Sequence, residues 1–412
     1  MNSRFLPYAL YASLLLPAAA HATPEVSVRG YAEARGVMAD GERSWIDHGQ
    51  GKLGFSGTAS PEFHGRLEGL VSVVARLDPD WSVIAQVRAS QDQDTPVDIL
   101  EGFVQWKPVP RSAWYYRAKA GAFFPPISLE NDGLGWTPLH TLSSSAINSW
   151  IGEELRTLGG EVTLGHAWSG QRAELVLGLF AANDPTGVML AFRGWALHDR
   201  WTTLNASIQL PDDLTPYKGP RDHPHIYVFQ ELDGRPGLYA GVEYGARDGA
   251  RVRALWYNNF ADTRAETSGA AAWKTRFVAL GAQAPLHWSL TLTTQFMSGN
   301  TTVFASDFGN AVSVDFRSAY AMLERPVGPV DVAARIDWFE NNDQGRGVRW
   351  DEDGHALTGA VVWRPAPAHR LAAEVLRIES FREDRVFLNL PRSATETQVQ
   401  LSWRWFFGFD VL

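Results

Sequence analysis

Alternation of apolar and polar residues runs through the chain and is clearest near its C-terminal end. One side of an extended strand over 395–407 carries Val399, Leu401, Trp403 and Trp405, and the other carries Gln398, Gln400, Ser402 and Arg404. An arginine on a lipid-facing surface costs about 2–4 kcal/mol at mid-bilayer. The pattern is therefore best explained if the tryptophans meet lipid and Arg404 meets water. It predicts a strand of a transmembrane antiparallel β-barrel.

The same period of two recurs along the chain and predicts about 16 strands, since bacterial barrels have even strand numbers. Short turns with proline or glycine, such as 77–80 and 325–328, alternate with longer polar connections such as 343–353. This asymmetry is typical of short periplasmic turns and long extracellular loops. The segment 184–235 is interpreted as one long external loop, although two further strands within it would raise the count to about 18. The predicted strands are 25–36, 65–76, 81–91, 98–107, 114–124, 154–167, 171–182, 237–246, 250–260, 272–283, 287–298, 311–324, 329–339, 355–364, 370–381 and 395–407.

Residues 1–22 have the order of a cleaved signal peptide. Arg4 precedes an apolar run over 5–20, and Ala20-His21-Ala22 supplies the small residues of a cleavage site. No later segment has the ~20 consecutive apolar residues that a spanning helix needs. A membrane protein without such a helix must close its backbone hydrogen bonds as a barrel. We therefore expect 23–412 to form a single barrel domain in the outer membrane of a Gram-negative bacterium.

Composition narrows the chemistry. The formal charge is −9, and the chain has no cysteine, which excludes disulfides, thiolate metal sites and thiol nucleophiles. The chain has 17 tryptophans, and seven of them form, with five phenylalanines, two aromatic groups that mark the two membrane interfaces. The core of a soluble sandwich or propeller would not require rings at both strand ends. The group near the short turns is Trp81, Trp106, Trp114, Trp168, Trp288 and Trp363, and the opposite group is Phe124, Phe180, Phe260, Phe296, Trp338 and Phe381.

Alternation also predicts which charged side chains face the lumen. Inward acids are fewer than inward bases, so the excess acid of the chain lies in loops, and a basic wall attracts anions. The alternative is that these charges pair across strands and leave weak selectivity. The predicted lumen cations are Arg29, Arg35, Arg66, Arg76, Arg88, Lys107, Arg117, Lys119, Arg172, Arg251, Arg253, Lys274, Arg276, Arg317, Arg335 and Arg404. The predicted lumen acids are Glu33, Glu68, Glu101, Glu174, Glu243, Asp315, Asp331 and Asp337.

The segment 125–150 is too uncharged for a solvated loop and is predicted to fold into the barrel as a constriction loop, with Glu130 and Asp132 opposite the wall arginines. Its start, Gly121-Ala122-Phe123-Phe124-Pro125-Pro126-Ile127-Ser128-Leu129-Glu130, resembles the strand-end motif of the phosphate-selective porin O/P family. The resemblance implies a 16-stranded, trimeric, passive diffusion channel. That family's phosphate specificity depends on an arginine ladder and a lysine cluster, whereas the five lysines here are scattered, so the solute stays open.

The favoured function is a porin for small hydrophilic solutes, with a preference for anions. The alternative is a substrate-specific transporter for sugars or organic acids, with inward rings as a stacking track: Tyr31, Phe103, Tyr115, Tyr239 and Tyr257. No catalytic residues, metal or other cofactor are expected. His140 with Ser143–Ser145, or His166, lacks a dictated Ser–His pairing, and His198-Asp199 and Asp222–His225 lack regular metal-ligand spacing. The expected partners are membrane lipid, lipopolysaccharide, small anions and two further copies of the chain, without nucleic acid.

Overall fold

Sixteen antiparallel strands close into one barrel, which confirms the predicted fold class. The computed structural model describes residues 25–57, 60–210, 225–267, 270–305, 310–344 and 351–411. The predicted signal peptide lies outside this range. The strands are β1 Glu25–Asp40, β2 Glu62–Arg76, β3 Trp81–Ser90, β4 Val97–Trp106, β5 Trp114–Phe123, β6 Thr157–Trp168, β7 Gln171–Ala181, β8 Gly237–Gly245, β9 Arg251–Asn258, β10 Lys274–Pro285, β11 Thr291–Ala305, β12 Asn310–Val327, β13 Val330–Asp343, β14 Glu352–Ala366, β15 His369–Arg382 and β16 Ser393–Val411.

The first and last strands complete the ring. β1 pairs with β16 from Val26↔Val411 to Asp40↔Thr397. The start of β1 and the end of β16 therefore lie together, at the end of the barrel that carries the short turns. We call this the short-turn end and the opposite end the loop end. The alternative with two further barrel strands is wrong, because the short pair Ile208–Gln209 and His225–Ile226 forms a separate sheet.

The outer wall carries the predicted apolar surface. Leu177, Leu280, Leu357 and Leu401 are among many large apolar side chains that face outward and are exposed. Trp81, Trp114, Trp168 and Trp288 are exposed near the short turns, and Phe260 and Trp338 are exposed toward the loop end. The prediction for Phe296 is wrong, because this exposed ring lies beside Leu280 and nearer the short-turn end of β11. The prediction for Phe124 and Phe180 is wrong, because both rings are buried inside the barrel and contact inserted residues or lumen tyrosines.

Two loop-end connections fold into the lumen. The first inserted segment, 124–156, contains helix α1 (Ala146–Glu154), and the second, 182–210, contains helix α2 (Val188–Phe192). Every residue of 183–203 is buried, so this part of the predicted external loop lies inside the barrel. No helix of the described residues is long and apolar enough to cross a membrane.

An apolar core fills the loop-end half of the lumen. The Trp150 ring lies 5.6 Å from Phe277 on β10 and 5.3 Å from Phe316 on β12, between ring centroids. Trp195 of the second inserted segment also contacts Phe316, at 6.0 Å. The inserted tryptophans therefore pack against inward-facing residues of the wall. Because these wall residues contact tryptophan rings and not water, they are apolar.

This packing explains an error in the predicted facing. The inward positions of these strands are occupied by Phe277 and Phe316. The charged residues next to them therefore lie on the outer wall: Lys274, Arg276 and Arg317 are exposed there, and Asp315 is partly exposed. When both faces of a strand carry apolar residues, the period of two no longer indicates which face is inside the barrel. Inserted rings thus hid the true register of these two strands from sequence reasoning.

An arginine on the lipid-facing surface tests this assignment of inner and outer walls. Leu280 lies in the apolar outward row of β10, two residues from Val278 and from Ala282, so Leu280→Arg should lower the free energy of unfolding by about 2–4 kcal/mol. Denaturant unfolding of protein in lipid vesicles measures the change, with Leu280→Ala as the control. Equal stability of the two variants would contradict a lipid-facing position.

Candidate functional site

Four arginines of the lumen wall form a continuous chain of ion pairs on β1, β2, β3 and β16. The Arg404 Nε donates to Glu33 at 2.7 Å, and the Arg35 Nε donates to the other oxygen of Glu33 at 2.8 Å. On the neighbouring strands, Arg66 donates to Glu68 at 2.7 Å, and Arg88 pairs with the same oxygen of Glu68. All of these side chains are buried.

Asp199 of the second inserted segment joins the two halves of this chain. Its Oδ2 accepts from Arg35 at 2.7 Å and its Oδ1 accepts from Arg66 at 2.7 Å. Burial alone would raise the pKa of Asp199, but Arg35 and Arg66 outweigh it and hold that pKa well below its usual range. The carboxylate therefore stays charged and keeps the segment attached to the wall. Arg88 adds donations to the backbone carbonyls of Trp201 and Asp199, at 3.0 and 3.2 Å.

The first inserted segment is bound to β13 and β15, on the other side of β16 from β1. Arg335 of β13 contacts Glu130 at 3.1 Å and the Ser143 carbonyl at 2.8 Å. Glu130 accepts from the Ser145 backbone N–H at 2.7 Å, next to the N-terminus of α1. The Ser143 hydroxyl donates to Glu374 of β15 at 2.7 Å. The segment 125–150 therefore folds inward as predicted and is held by direct contacts.

A third connection, 41–57 between β1 and β2, closes over the second inserted segment. Lys52 is fully buried, pairs with Glu352 of β14 and donates to the Arg193 carbonyl at 2.8 Å. Arg193 forms a two-point ion pair with Glu153 of α1, at 2.7 and 2.8 Å. Although burial alone would raise it, the pKa of Glu153 is lowered to about 2 by Arg193 and His198. Each inserted segment is thus tied both to the wall and to its neighbour.

An open vestibule remains near the short-turn end. It has a cavity of about 280 Å³ that ends at Pro126 of the first inserted segment. A second cavity, of about 310 Å³, lies beside it at the short turns and shares Arg172 and Arg251 with it. The charged side chains that line the vestibule are Arg117, Arg172, Arg251, Arg253, Glu161, Glu174 and Glu243.

Exposure separates the charges of the vestibule. Arg117 donates to Glu174 at 2.6 Å and Arg172 donates to Glu243 at 3.0 Å. The side chains of Arg172 and Arg117 are 51% and 35% exposed, whereas those of Glu174 and Glu243 are 11% and 9% exposed. The acids lie behind the arginines, so a solute that enters the vestibule meets mainly positive charge.

Asp132, predicted on the constriction loop, is half-exposed and pairs with Arg251 at 2.7 Å.

The predicted lumen cations fall into four groups according to where the structure places them. The buried and paired cations are Arg35, Arg66, Arg88, Arg335 and Arg404; those near the vestibule are Arg117, Lys119, Arg172, Arg251 and Arg253; those at the short-turn rim are Arg29, Arg76 and Lys107; those on the outer wall are Lys274, Arg276 and Arg317.

Sequence reasoning missed the central role of the second inserted segment. It treated His198 and Asp199 as part of a solvated loop, whereas both are buried, and the neighbouring residues 222–224 lie outside the described range. The apolar run Val188-Met-Leu-Ala-Phe192, followed by Trp195 and Leu197, was the available signal. Such a run is unusual for a loop that faces water.

The residues considered for hydrolysis or metal binding have other contacts. His140 pairs with Glu324 at 2.9 Å, while Ser143 is bound to Glu374, and His166 lies on the outer wall against Trp114. Asp184, Glu231 and Asp233 bring carboxylate oxygens within 4.8 Å of one another. Backbone N–H groups of Leu232 and Gly234 donate to these acids, which explains the cluster as loop closure.

Solved outer-membrane channels share this fold. DcaP of Acinetobacter baumannii, described as an outer membrane channel, matches with a TM-score of 0.59 at 9% identity, over 93% of this chain and 97% of that chain. OmpF of Salmonella typhi, in complex with daunomycin, matches with a TM-score of 0.51 at 9% identity, over 92% of this chain and 97% of that chain. The anion-selective porin of Comamonas acidovorans matches with a TM-score of 0.50 at 10% identity, over 93% of this chain and 100% of that chain. No protein-family model and no curated protein sequence matches the chain. At such identities the likeness shows the fold alone.

Loss of the Asp199 charge should loosen the second inserted segment. Asp199→Asn removes one of the carboxylates paired with Arg35 and with Arg66, and breaking a buried ion pair costs about 3–5 kcal/mol. Hydrogen exchange of the 183–203 amides should therefore become faster, while the barrel strands stay protected. Asp315→Asn on the outer wall is the control. Unchanged exchange in Asp199→Asn would show that the carboxylate does not hold the segment.

Proposed function

We propose that the protein is a passive channel of the outer membrane for small hydrophilic solutes, with a preference for anions. The observation that carries the proposal is the vestibule, where Arg117 and Arg172 are exposed and their acid partners lie behind them. A basic surface in a narrow, low-dielectric cavity concentrates anions and raises their rate of entry. The apolar outer wall and the porin-like fold support the membrane location.

The filled half of the lumen adds a condition to this function. Residues 183–203 are buried inside the barrel and are bonded to β1, β2 and α1. We infer that the second inserted segment must be displaced before a solute can pass. We propose a channel that opens in discrete steps and in which the wall arginines near Asp199 serve the closed state.

The arginines of the lumen fall into two classes, those fully paired with acids or carbonyls and those that remain exposed. The alternative of mutual neutralisation describes Arg35, Arg66 and Arg335 well, because each is buried and bonded to at least two acids or carbonyls. It describes Arg172 poorly, because half of that side chain is exposed. Anion preference therefore rests on the vestibule, and the deeper arginines act as structural groups.

A transporter for organic acids is a second candidate that the same geometry favours. An arginine fork matches a carboxylate, and the four vestibule arginines would serve a small organic acid as well as an inorganic anion. The sugar version loses support, since Tyr31, Tyr239 and Tyr257 of the stacking track are buried. Block of ion current by a small dicarboxylate, and not by a neutral sugar, would favour the organic-acid transporter.

The homotrimer stays a prediction, and the outer wall of β1 and β2 is compatible with it. Gly36, Gly65 and Gly69 face outward there, and the exposed Phe63 and Leu67 project from the same row of β2, which gives an apolar surface that another copy can contact. Mass measurement of the purified protein in a mild detergent gives the number of copies.

Reversal potentials in planar bilayers under a salt gradient test the channel and its selectivity. The wild-type protein should prefer anions, and the double variant Arg117→Gln/Arg172→Gln should move the reversal potential toward zero, because it removes the exposed positive charge. Lys274→Gln/Arg276→Gln is the matched control, since it removes two cations from the outer wall. A cation preference, or an equal shift in the control, would contradict the proposed pathway. Absence of conductance would contradict a channel altogether.

A further inference from the structure

Two cations of the outer wall have no partner among the described residues. Lys274 and Arg276 are both exposed and project from the same face of β10. Neither side chain has a hydrogen bond or ion pair within the described ranges. Asp315, the acid on the outward row at the height of Arg276, lies two strands away beyond Asn300, and it accepts a hydrogen bond from Asn300 at 2.7 Å. The pair therefore presents two uncompensated positive charges outside the barrel.

The position of the pair relative to the apolar wall places it at the membrane surface. From Arg276 toward the short-turn end, the outward row of β10 continues with Val278 and Leu280, which are exposed. Trp256 lies beside Val278, and Phe296 lies beside Leu280. Two residues of a strand span about 6–7 Å, so the Arg276 backbone lies one such step beyond the apolar band. Because the pair lies toward the loop end, that surface is the outer leaflet.

Other outward cations at this level are neutralised within the protein. Arg317 of β12 pairs with Glu340 at 3.1 Å, and Arg377 of β15 pairs with Glu379 at 2.9 Å. Arg377 is likewise adjacent to an exposed apolar residue, Val375. The absence of an acid beside Lys274 and Arg276 is thus a local feature of one side of the described barrel wall, and it leaves both charges free to bind an external anion.

We propose that Lys274 and Arg276 bind the phosphate groups of the phosphorylated glycolipid of the outer leaflet, lipopolysaccharide. The planar guanidinium of an arginine can donate two parallel hydrogen bonds to a phosphate, and a lysine ammonium adds a mobile point charge. The exposed Val278 and Leu280 directly below would contact the acyl chains of the same lipid. The site therefore recognises both parts of an anionic lipid, whereas free phosphate would use only the charges.

Binding of purified lipopolysaccharide to the full chain in detergent tests the proposal. Near a membrane surface each basic residue contributes about 1 kcal/mol, so Lys274→Gln/Arg276→Gln should weaken binding roughly 30-fold. The charge-conserving variant Lys274→Arg/Arg276→Lys should bind like the wild type. Arg377→Gln, which removes a paired cation of similar exposure, should also leave binding unchanged.

Two comparisons distinguish lipid from other sources of phosphate. Glycolipid stripped of its phosphates should bind the wild-type protein as weakly as intact glycolipid binds the double glutamine variant. Inorganic phosphate at an equal phosphate concentration should not displace the lipid. Full displacement would overturn the assignment to a lipid, and equal binding by wild type and the glutamine variant would overturn the site itself.

The test is independent of the channel proposal. Both side chains lie on the outer wall, so the glutamine variant should keep the wild-type conductance and reversal potential. Protein that does not conduct at all can still be assayed for lipid binding, and a failure of one proposal leaves the other measurable. Heat-resistant migration and the tryptophan fluorescence of each variant confirm that it is folded before binding is compared.

Discussion

The hydrogen-bond ladder between β1 and β16 is the interaction on which the rest of the structure depends. Without it, two strand edges would lie in hydrocarbon with unpaired N–H and C=O groups, each at a cost of several kcal/mol. Closure also assigns every side chain to one of two environments, because successive residues of a strand point to opposite faces. The acyl chains select Val399, Leu401 and Trp403 on one face, and the enclosed space accepts Gln400, Ser402 and Arg404 on the other.

The enclosed space is larger than the wall side chains can fill, and the inserted segments supply the missing volume. Trp150, Trp195 and Trp201 bring apolar surface into a region whose wall is rich in charge. That combination is stable only where each buried charge meets an opposite charge or a dipole, since a lone buried ion is strongly unfavourable. Asp199 meets this condition for Arg35 and Arg66. The contacts that order the lumen are therefore the contacts that hold the inserted segments inside it.

Local alternation, with the residues of the short turns, was sufficient to predict the closed barrel, its strand number and its short-turn end, and the low charge of 125–150 predicted its inward course. Alternation was sufficient because lipid imposes a strict apolar row on one face of each strand. It failed for Lys274, Arg276 and Arg317, where the inserted tryptophans make the inner face apolar as well. It also could not show that 183–203 enters the barrel, because the partners of Asp199 are more than a hundred residues away in sequence, on β1 and β2.

The position of a cation, more than the number of cations, decides what the charge can do. The chain is acidic as a whole, with a formal charge of −9, yet its exposed vestibule is basic because Glu174 and Glu243 lie behind Arg117 and Arg172. Arg66 has the same side chain, but burial beside three carboxylates makes it a structural group. On the outer wall, Arg276 meets neither water-filled lumen nor acid. Net charge therefore predicts none of these roles, and each follows from what surrounds the guanidinium.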